Sequence, residues 1–171
     1  MIYLSIGSNL PSINEKKQKN IENTITYLKE LDLKIIKISS FYETPSYPNK
    51  SDPKFINICI KLESEIKPAH FLNQMMEIEI KLGRKRLKKN EPRTCDIDII
   101  DFNGLIIKND QLIIPHPKSH LRNFVIYPLK EIEPNWIHPI FNKKIDSFFL
   151  ELDKNSHNEI TRVGKSDIFI I

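Results

Sequence analysis

The sequence predicts an α+β sandwich, a mainly antiparallel sheet with helices packed on it. Three observations carry this reading. Residues 55–62 alternate strictly, with Ile56, Ile58, Ile60 and Leu62 on one face and Phe55, Asn57 and Cys59 on the other. Two stretches of helical period, near 14–31 and 68–82, interrupt the strands. The strands are partly adjacent in sequence and partly separated by those helices, the order of an α+β fold. A chain of 171 residues without repeats or linkers is expected to form one domain over 1–171.

Each element has its own signal. Ile2, Leu4 and Ile6 alternate with Tyr3 and Ser5, a half-buried strand, and "GSNLPS" follows as a turn. Ile21, Ile25 and Leu28 set the first helix, and "LKIIKISSFY" at 33–42 reads as one strand. Three prolines make 43–53 a loop. Pro68 opens the second helix where its missing N–H costs nothing, and Leu72, Met75, Met76, Glu79 and Leu82 form its stripe. A basic loop at 83–92 leads to a strand at 94–102, a turn at "FNGL" and a short returning strand at 111–114. A short helix is expected near 124–132, an amphipathic one at 145–152, and a strand in the tail "ITRVGKSDIFII".

An apolar share of 40% and a charged share of 28% describe a soluble globular protein, not a disordered one. No apolar run is long enough for a membrane span, and the first residues lack the pattern of a signal peptide. Cys59 and Cys95 form no C-x-x-C pair, which suits a reducing cytoplasm and excludes a disulfide framework. The net charge of +4 says little, but its distribution says more. Lys81, Arg84, Lys85, Arg86, Lys88, Lys89 and Arg93 crowd one segment, opposed there by Glu91, and this reads as an anion site.

The acids that follow sharpen the reading. Asp96 and Asp98 in "RTCDIDII" stand at i and i+2, so a strand points both the same way. Two such carboxylates repel unless one is protonated or a cation lies between them; otherwise this is simply a polar surface face. Mg²⁺ takes one or two carboxylates and completes its shell with water and phosphate. Carboxylate pair and basic loop together suit phosphate transfer, where positioning and electrostatics do most of the catalysis. Asp101 falls on the opposite face by simple alternation and is expected in solvent or in a turn contact. Glu79 intrudes on an apolar stripe and is either paired, beside a wet cleft, or at a helix boundary. His116 and His120 have metal-like spacing, but Pro115 and Pro117 prevent a helix there, so His116 is read as a donor to phosphate or nucleotide. With four glycines, none in a G-x-x-x-x-G-K pattern, phosphate must be held by side chains and metal.

These segments together resemble one family, the 6-hydroxymethyl-7,8-dihydropterin pyrophosphokinases of folate biosynthesis. "YLSIGSNL", "SSFYETPSY", "FINICIKLES", "EIEIKLGRKR", "PRTCDIDII" and "IPHPKSHLRNFVIYPLKEIEP" carry the resemblance, over about residues 2–140. It implies a ferredoxin-like sandwich and transfer of pyrophosphate from ATP to the pterin hydroxymethyl group, with release of AMP. It implies two Mg²⁺ ions on Asp96 and Asp98, with Arg84 and Arg93 holding phosphates and assisting transfer. Arg86, Ile99, His116 and Arg122 match positions on the ATP side. Thr44, Pro45, Phe55, Asn57 and Phe124 match the pterin side, and Glu79 matches an active-site carboxylate. The partners implied are small molecules, without nucleic acid or membrane, for a cytoplasmic monomer. Glu91 stands where the family usually has Gly or Ala, and Asn90 where many members carry an aromatic. A nucleotidyltransferase would also use Gly-Ser and D-x-D, but within about a dozen residues, whereas Ser8 and Asp96 lie 88 positions apart. A nucleic-acid module would spread its basic residues over a face, not gather them beside acids.

Overall fold

The computed structural model describes residues 1–11, 16–31, 33–84 and 91–165. In chain order the elements are β1 (Ile2–Ser8), α1 (Lys17–Glu30), β2 (Lys34–Ile38), β3 (Phe41–Thr44), β4 (Phe55–Glu63), α2 (Pro68–Lys81) and β5 (Asp96–Phe102). Then come β6 (Ile107–Lys108), β7 (Ile113–Ile114), a 3₁₀ turn (Ser119–Leu121), α3 (Asn123–Ile132), α4 (Ile145–Glu151), α5 (Lys154–Asn158) and β8 (Thr161–Gly164).

Six strands form one sheet in the order β5-β1-β4-β3-β8, and β2 continues the pairing of β3 along β4. Its described pairs are antiparallel. This is the expected α+β architecture, and the two faces of the sheet explain it. Ile2, Leu4, Ile6, Ile56, Ile58, Ile60 and Leu62 pack under α1 and α2, against Ile21, Ile25, Leu28, Phe71 and Met75. Tyr3, Cys59 and Ile100 face the other way, against Val125, Ile126, Leu129, Ile145 and Phe148 of α3 and α4. Truncating a side chain such as Ile58, with no exposed surface, would cost about 2–5 kcal/mol.

Three local departures matter for function. The strand expected over 33–42 divides at Ser39–Ser40. There the Cys59 N–H donates to Ser39 Oγ at 2.9 Å, and the Ser40 N–H and hydroxyl go to Glu131 at 3.0 and 2.8 Å. The Ser39 N–H still donates to the Cys59 carbonyl at 3.0 Å, and side chains take over the remaining ladder positions. The stripe of α2 is rotated from the one expected, burying Phe71, Met75, Ile78 and Glu79 and leaving Met76 exposed. Glu79 nevertheless stays inside, 2% exposed.

The third departure corrects the position of Asp101. The β1–β5 register shifts between Leu4↔Ile99 and Tyr3↔Asp101, which inserts one extra residue into β5. Ile99 and Ile100 then point to opposite cores. Asp101 lands opposite Tyr3, on the same face as Asp96 and Asp98 rather than the opposite one. It is buried, not in solvent. Its carboxylate accepts the Trp136 indole N–H at 2.9 Å and the Gly104 N–H at 2.8 Å, so the turn contact is present. The turn is left-handed at both Asn103 (φ 53°) and Gly104 (φ 70°), as "NG" favours. The returning strand β7 pairs with β6 in a separate small sheet.

Candidate active site

One row of residues crosses the sheet and organises the site. Asp96 on β5, Gly7 on β1, Asn57 on β4 and Tyr42 on β3 are successive cross-strand partners, so they share a face. The next row runs from Asp98 through Ser5 to Cys59. With strands about 4.8 Å apart, Asp96 and Asn57 are separated by roughly 10 Å across Gly7.

The acidic end is dense with arginine. Arg84, just past α2, donates to Asp96 Oδ1 at 2.6 Å and also to Glu79. Glu79 in turn accepts the Ile97 N–H at 2.8 Å. The intruder on the α2 stripe is therefore a carboxylate that ties the helix end to the start of β5. Arg93 donates to the other oxygen of Asp96. Arg122, from the turn before α3, lies 3.2 Å from Asp98 Oδ2. Burial opposes ionisation of Asp96, but Arg93 and Arg84 outweigh it and hold the carboxyl below its ordinary range. Burial, and then the charge of Asp96, push Asp98 upward, against His116, Arg122 and Arg93. Burial pushes His116 down, with Asp98 opposing. The pair is thus one carboxylate fully neutralised by arginine and one short of positive charge.

The other end is aromatic and amide-lined. Asn57 Nδ2 donates to Thr44 Oγ1 at 3.1 Å and to the Tyr42 carbonyl at 3.4 Å. Those bonds fix the amide so that Oδ1 is turned toward Gly7. A side chain there would stand 2.9 Å from Asn57 Oδ1. The Arg93 guanidinium lies 5.2 Å from the Phe55 ring centroid, and that of Arg122 lies 5.4 Å from Phe124. Each candidate ring is thus linked by an arginine to an aspartate.

The structure brings Arg84, Arg93, Asp96, Asp98, His116 and Arg122 to one end of this face, and Thr44, Phe55 and Asn57 to the other. Pro45 follows Thr44 in the bordering loop. Ile99 lies in the same strand with its side chain in the core beneath the sheet, turned away from the aspartates, so it presents only its backbone at this end. Arg86 and Asn90 lie outside the described residues. Two contributors went unnoticed in the sequence. Asn9 accepts the Arg93 N–H at 2.7 Å, donates to Ser46 Oγ and the Pro53 carbonyl at 3.1 Å, and gives its own N–H to the Arg93 carbonyl. It thereby ties the 45–53 loop to Arg93. Gly7 is the other. An Asn or Gly in a turn-like "GSN" carries no spacing signal that would single either out.

Comparison with known proteins follows the same lines. The family model for 7,8-dihydro-6-hydroxymethylpterin-pyrophosphokinase (HPPK) matches residues 3–134. The folic acid synthesis protein FOL1 of Dictyostelium discoideum is 40% identical over 92% of this chain, which covers 24% of that protein. The 2-amino-4-hydroxy-6-hydroxymethyldihydropteridine pyrophosphokinase of Aquifex aeolicus is 37% identical, covering 86% of this chain and 89% of its own. A Plasmodium falciparum HPPK-DHPS crystal structure with pteroate superposes with a TM-score of 0.70 at 16% identity, over 94% of this chain and 46% of that one. The chain thus spans about a quarter of the Dictyostelium protein and under half of the Plasmodium one.

Proposed function

The chain belongs to the 7,8-dihydro-6-hydroxymethylpterin-pyrophosphokinase family, and from that premise we propose that it transfers pyrophosphate from ATP to the hydroxymethyl group of 6-hydroxymethyl-7,8-dihydropterin. The products are AMP and the pterin diphosphate. The observation that carries this reading is the single sheet face on which Asp96 and Asp98, ringed by Arg84, Arg93 and Arg122, share a floor with Asn57.

The donor set suits Mg²⁺. Asp96 and Asp98 offer hard oxygens from adjacent same-face positions, and no group of three or more His, Cys, Asp or Glu residues fit for a metal occurs among the described residues. A pair is what Mg²⁺ uses when substrate phosphate and water supply the rest. Bound there, two such ions would neutralise triphosphate charge and lower the pKa of the pterin hydroxyl. Arg84 and Arg93, released from Asp96 as phosphate arrives, would grip oxygens of the transferred group through planar, bidentate-capable donors. Arg122 and His116, beside Asp98, would extend the ATP side, with Arg86 from the basic loop. Asn57 would accept an N–H of the pterin edge at Oδ1, between Phe55 and Phe124, with Thr44 and Pro45 bordering the ring.

The ferredoxin-like reading of the fold is supported by the order β1-α1-β2-β4-α2-β5 and by the spatial sequence β5-β1-β4-β2. The deciding experiment is a product assay with ATP, Mg²⁺ and the dihydropterin. AMP and a pterin diphosphate are expected; ADP would overturn pyrophosphoryl transfer.

A further inference from the structure

The matched family region ends at residue 134, yet the chain continues into a segment that reaches back to the proposed pterin side. β8 adds to the outer edge of β3, with Arg162 opposite Tyr42 and Thr161 opposite Glu43. It thus lies at the far end of the sheet from β5, which carries the aspartates. Without β8, the four-residue β3 would be an edge strand on that side, and such short edges are weakly held. β3 matters because the Tyr42 carbonyl and the Thr44 hydroxyl are the two acceptors that orient the Asn57 amide.

Further ties join the same segment to the opposite wall. Arg162 Nε donates to Ser40 Oγ at 2.8 Å, and its terminal nitrogen lies 3.3 Å from Glu131 on α3. Glu131 also accepts the Tyr42 hydroxyl at 3.0 Å and the Ser40 N–H. Burial alone would raise this carboxyl, but the Ser40 and Tyr42 hydrogen bonds and Arg162 outweigh it and keep it ionised. At the start of α3, Asn123 Nδ2 donates to the Ser156 carbonyl at 2.7 Å, and the Tyr127 hydroxyl meets His157 Nδ1 at 2.7 Å. Asn123 is the neighbour of both Arg122 and Phe124. Finally, Glu159 pairs with Lys50 in the loop that carries Pro45.

We propose that residues 153–164 form a brace that positions the pterin-side wall, holding β3 and the first turn of α3 at a fixed separation while leaving the phosphate side to β5 and the arginines. This rests on the assignment of Asn57 and Phe124 to the pterin. The exposed Arg162–Glu131 pair contributes modestly by itself, so the strand pairing carries most of the effect. Arg162 is therefore a positioning residue, and proline at its place would remove its N–H and oppose pairing.

The test compares full-length Arg162→Pro and Arg162→Ala with the unmodified chain. In the ligand-free proteins, amide exchange at residues 42–52 should quicken by about tenfold or more in Arg162→Pro, and less in Arg162→Ala. In turnover, the pterin KM should rise about tenfold in Arg162→Pro and about two- to threefold in Arg162→Ala, while kcat and the KM for ATP stay within about twofold. Unchanged exchange in both variants, or equal losses on the ATP and pterin sides, would overturn the brace. Should Arg162→Pro fail to fold, the Arg162→Ala exchange and KM split decide by the same criteria. Exchange is read without substrate, so it judges the brace even where an unmodified chain that makes no pterin diphosphate has refuted the proposed reaction.

Discussion

A Cβ placed on Gly7 would meet Asn57 Oδ1 at 2.9 Å, closer than side chains tolerate, and the Phe55 ring at 3.4 Å. The amide cannot simply swing aside, because its nitrogen is held by Thr44 and Tyr42. Gly7→Ala should therefore displace Asn57 only by breaking those two hydrogen bonds, taking Oδ1 out of its place beside Gly7. We expect pterin affinity to fall about tenfold, the equivalent of about 1.4 kcal/mol, with ATP affinity unchanged. Calorimetric titration of each ligand separates the two, and an equal loss for both would show that Gly7 serves the sheet and not the pterin face.

Asp98 is the carboxylate that arginine leaves short of charge. Burial and Asp96 push it upward, and Arg122 pairs with it at 3.2 Å. Replacing it with Asn keeps the shape and removes a hard oxygen donor. Turnover should drop about a thousandfold or more, since an ion that neutralises developing phosphate charge supplies several kcal/mol. Stability should stay the same or rise slightly, because a half-buried charge next to that of Asp96 is gone. Near-normal turnover in a folded Asp98→Asn protein would remove Asp98 from the metal site.

Asp101 shares that face and yet has a different task. It holds the indole N–H of Trp136, which is only 4% exposed, and the turn N–H of Gly104. Asp101→Ala leaves two donors without their acceptor, one of them deeply buried, at a cost of about 1–3 kcal/mol for each buried group. Urea unfolding should show this loss while kcat and both KM values of the folded protein stay put. The two substitutions thus separate Asp98 and Asp101, two aspartates of one strand, into chemistry and structure.

Why Asp101 was misplaced by sequence reasoning is instructive. Alternation identifies β4 and the shared face of Asp96 and Asp98, because a period of two persists along an unbroken ladder. It fails after Ile99, where one inserted residue flips the count, and a bulge has no residue-level signature in "DIIDF". The Ser39–Ser40 break depends on Glu131, ninety residues away, and so is invisible locally. Glu79 could be flagged as an acid on an apolar stripe, but its partners Arg84 and Ile97 come from the chain's return to the sheet. Of the brace over 153–164, only the strand in the tail was legible, and the helix Lys154–Asn158 was not; its contacts with β3 and α3 are purely tertiary.

The last prediction concerns pH. His138 is 2% exposed, packed among Trp136, His120, Phe141 and Phe148. Its Nδ1 accepts the N–H of Ile140 at 3.1 Å, a role open only to the unprotonated nitrogen. Burial, and then the neighbouring His120, depress its pKa from 6.5 to about 4. The unfolded chain therefore binds this proton at a pH where the folded one does not. Stability contributed here is complete above about pH 6.5 and is lost as pH falls toward 4, by up to about 3 kcal/mol at 1.36 kcal/mol per unit. His120, lowered mainly by burial, adds in the same direction. His138→Asn keeps an acceptor for the Ile140 N–H without a titrating ring, so its urea midpoints between pH 6.5 and 4.5 should fall more gently than those of the unmodified chain. Parallel pH profiles for the two proteins would assign acid lability to carboxylates such as Glu131 and Asp96, which also lose their partners' stabilisation as pH falls. The consequence reaches the active site, because His120 stands between His116 and Arg122 in one short loop, and an aromatic cluster that opens in acid would release both.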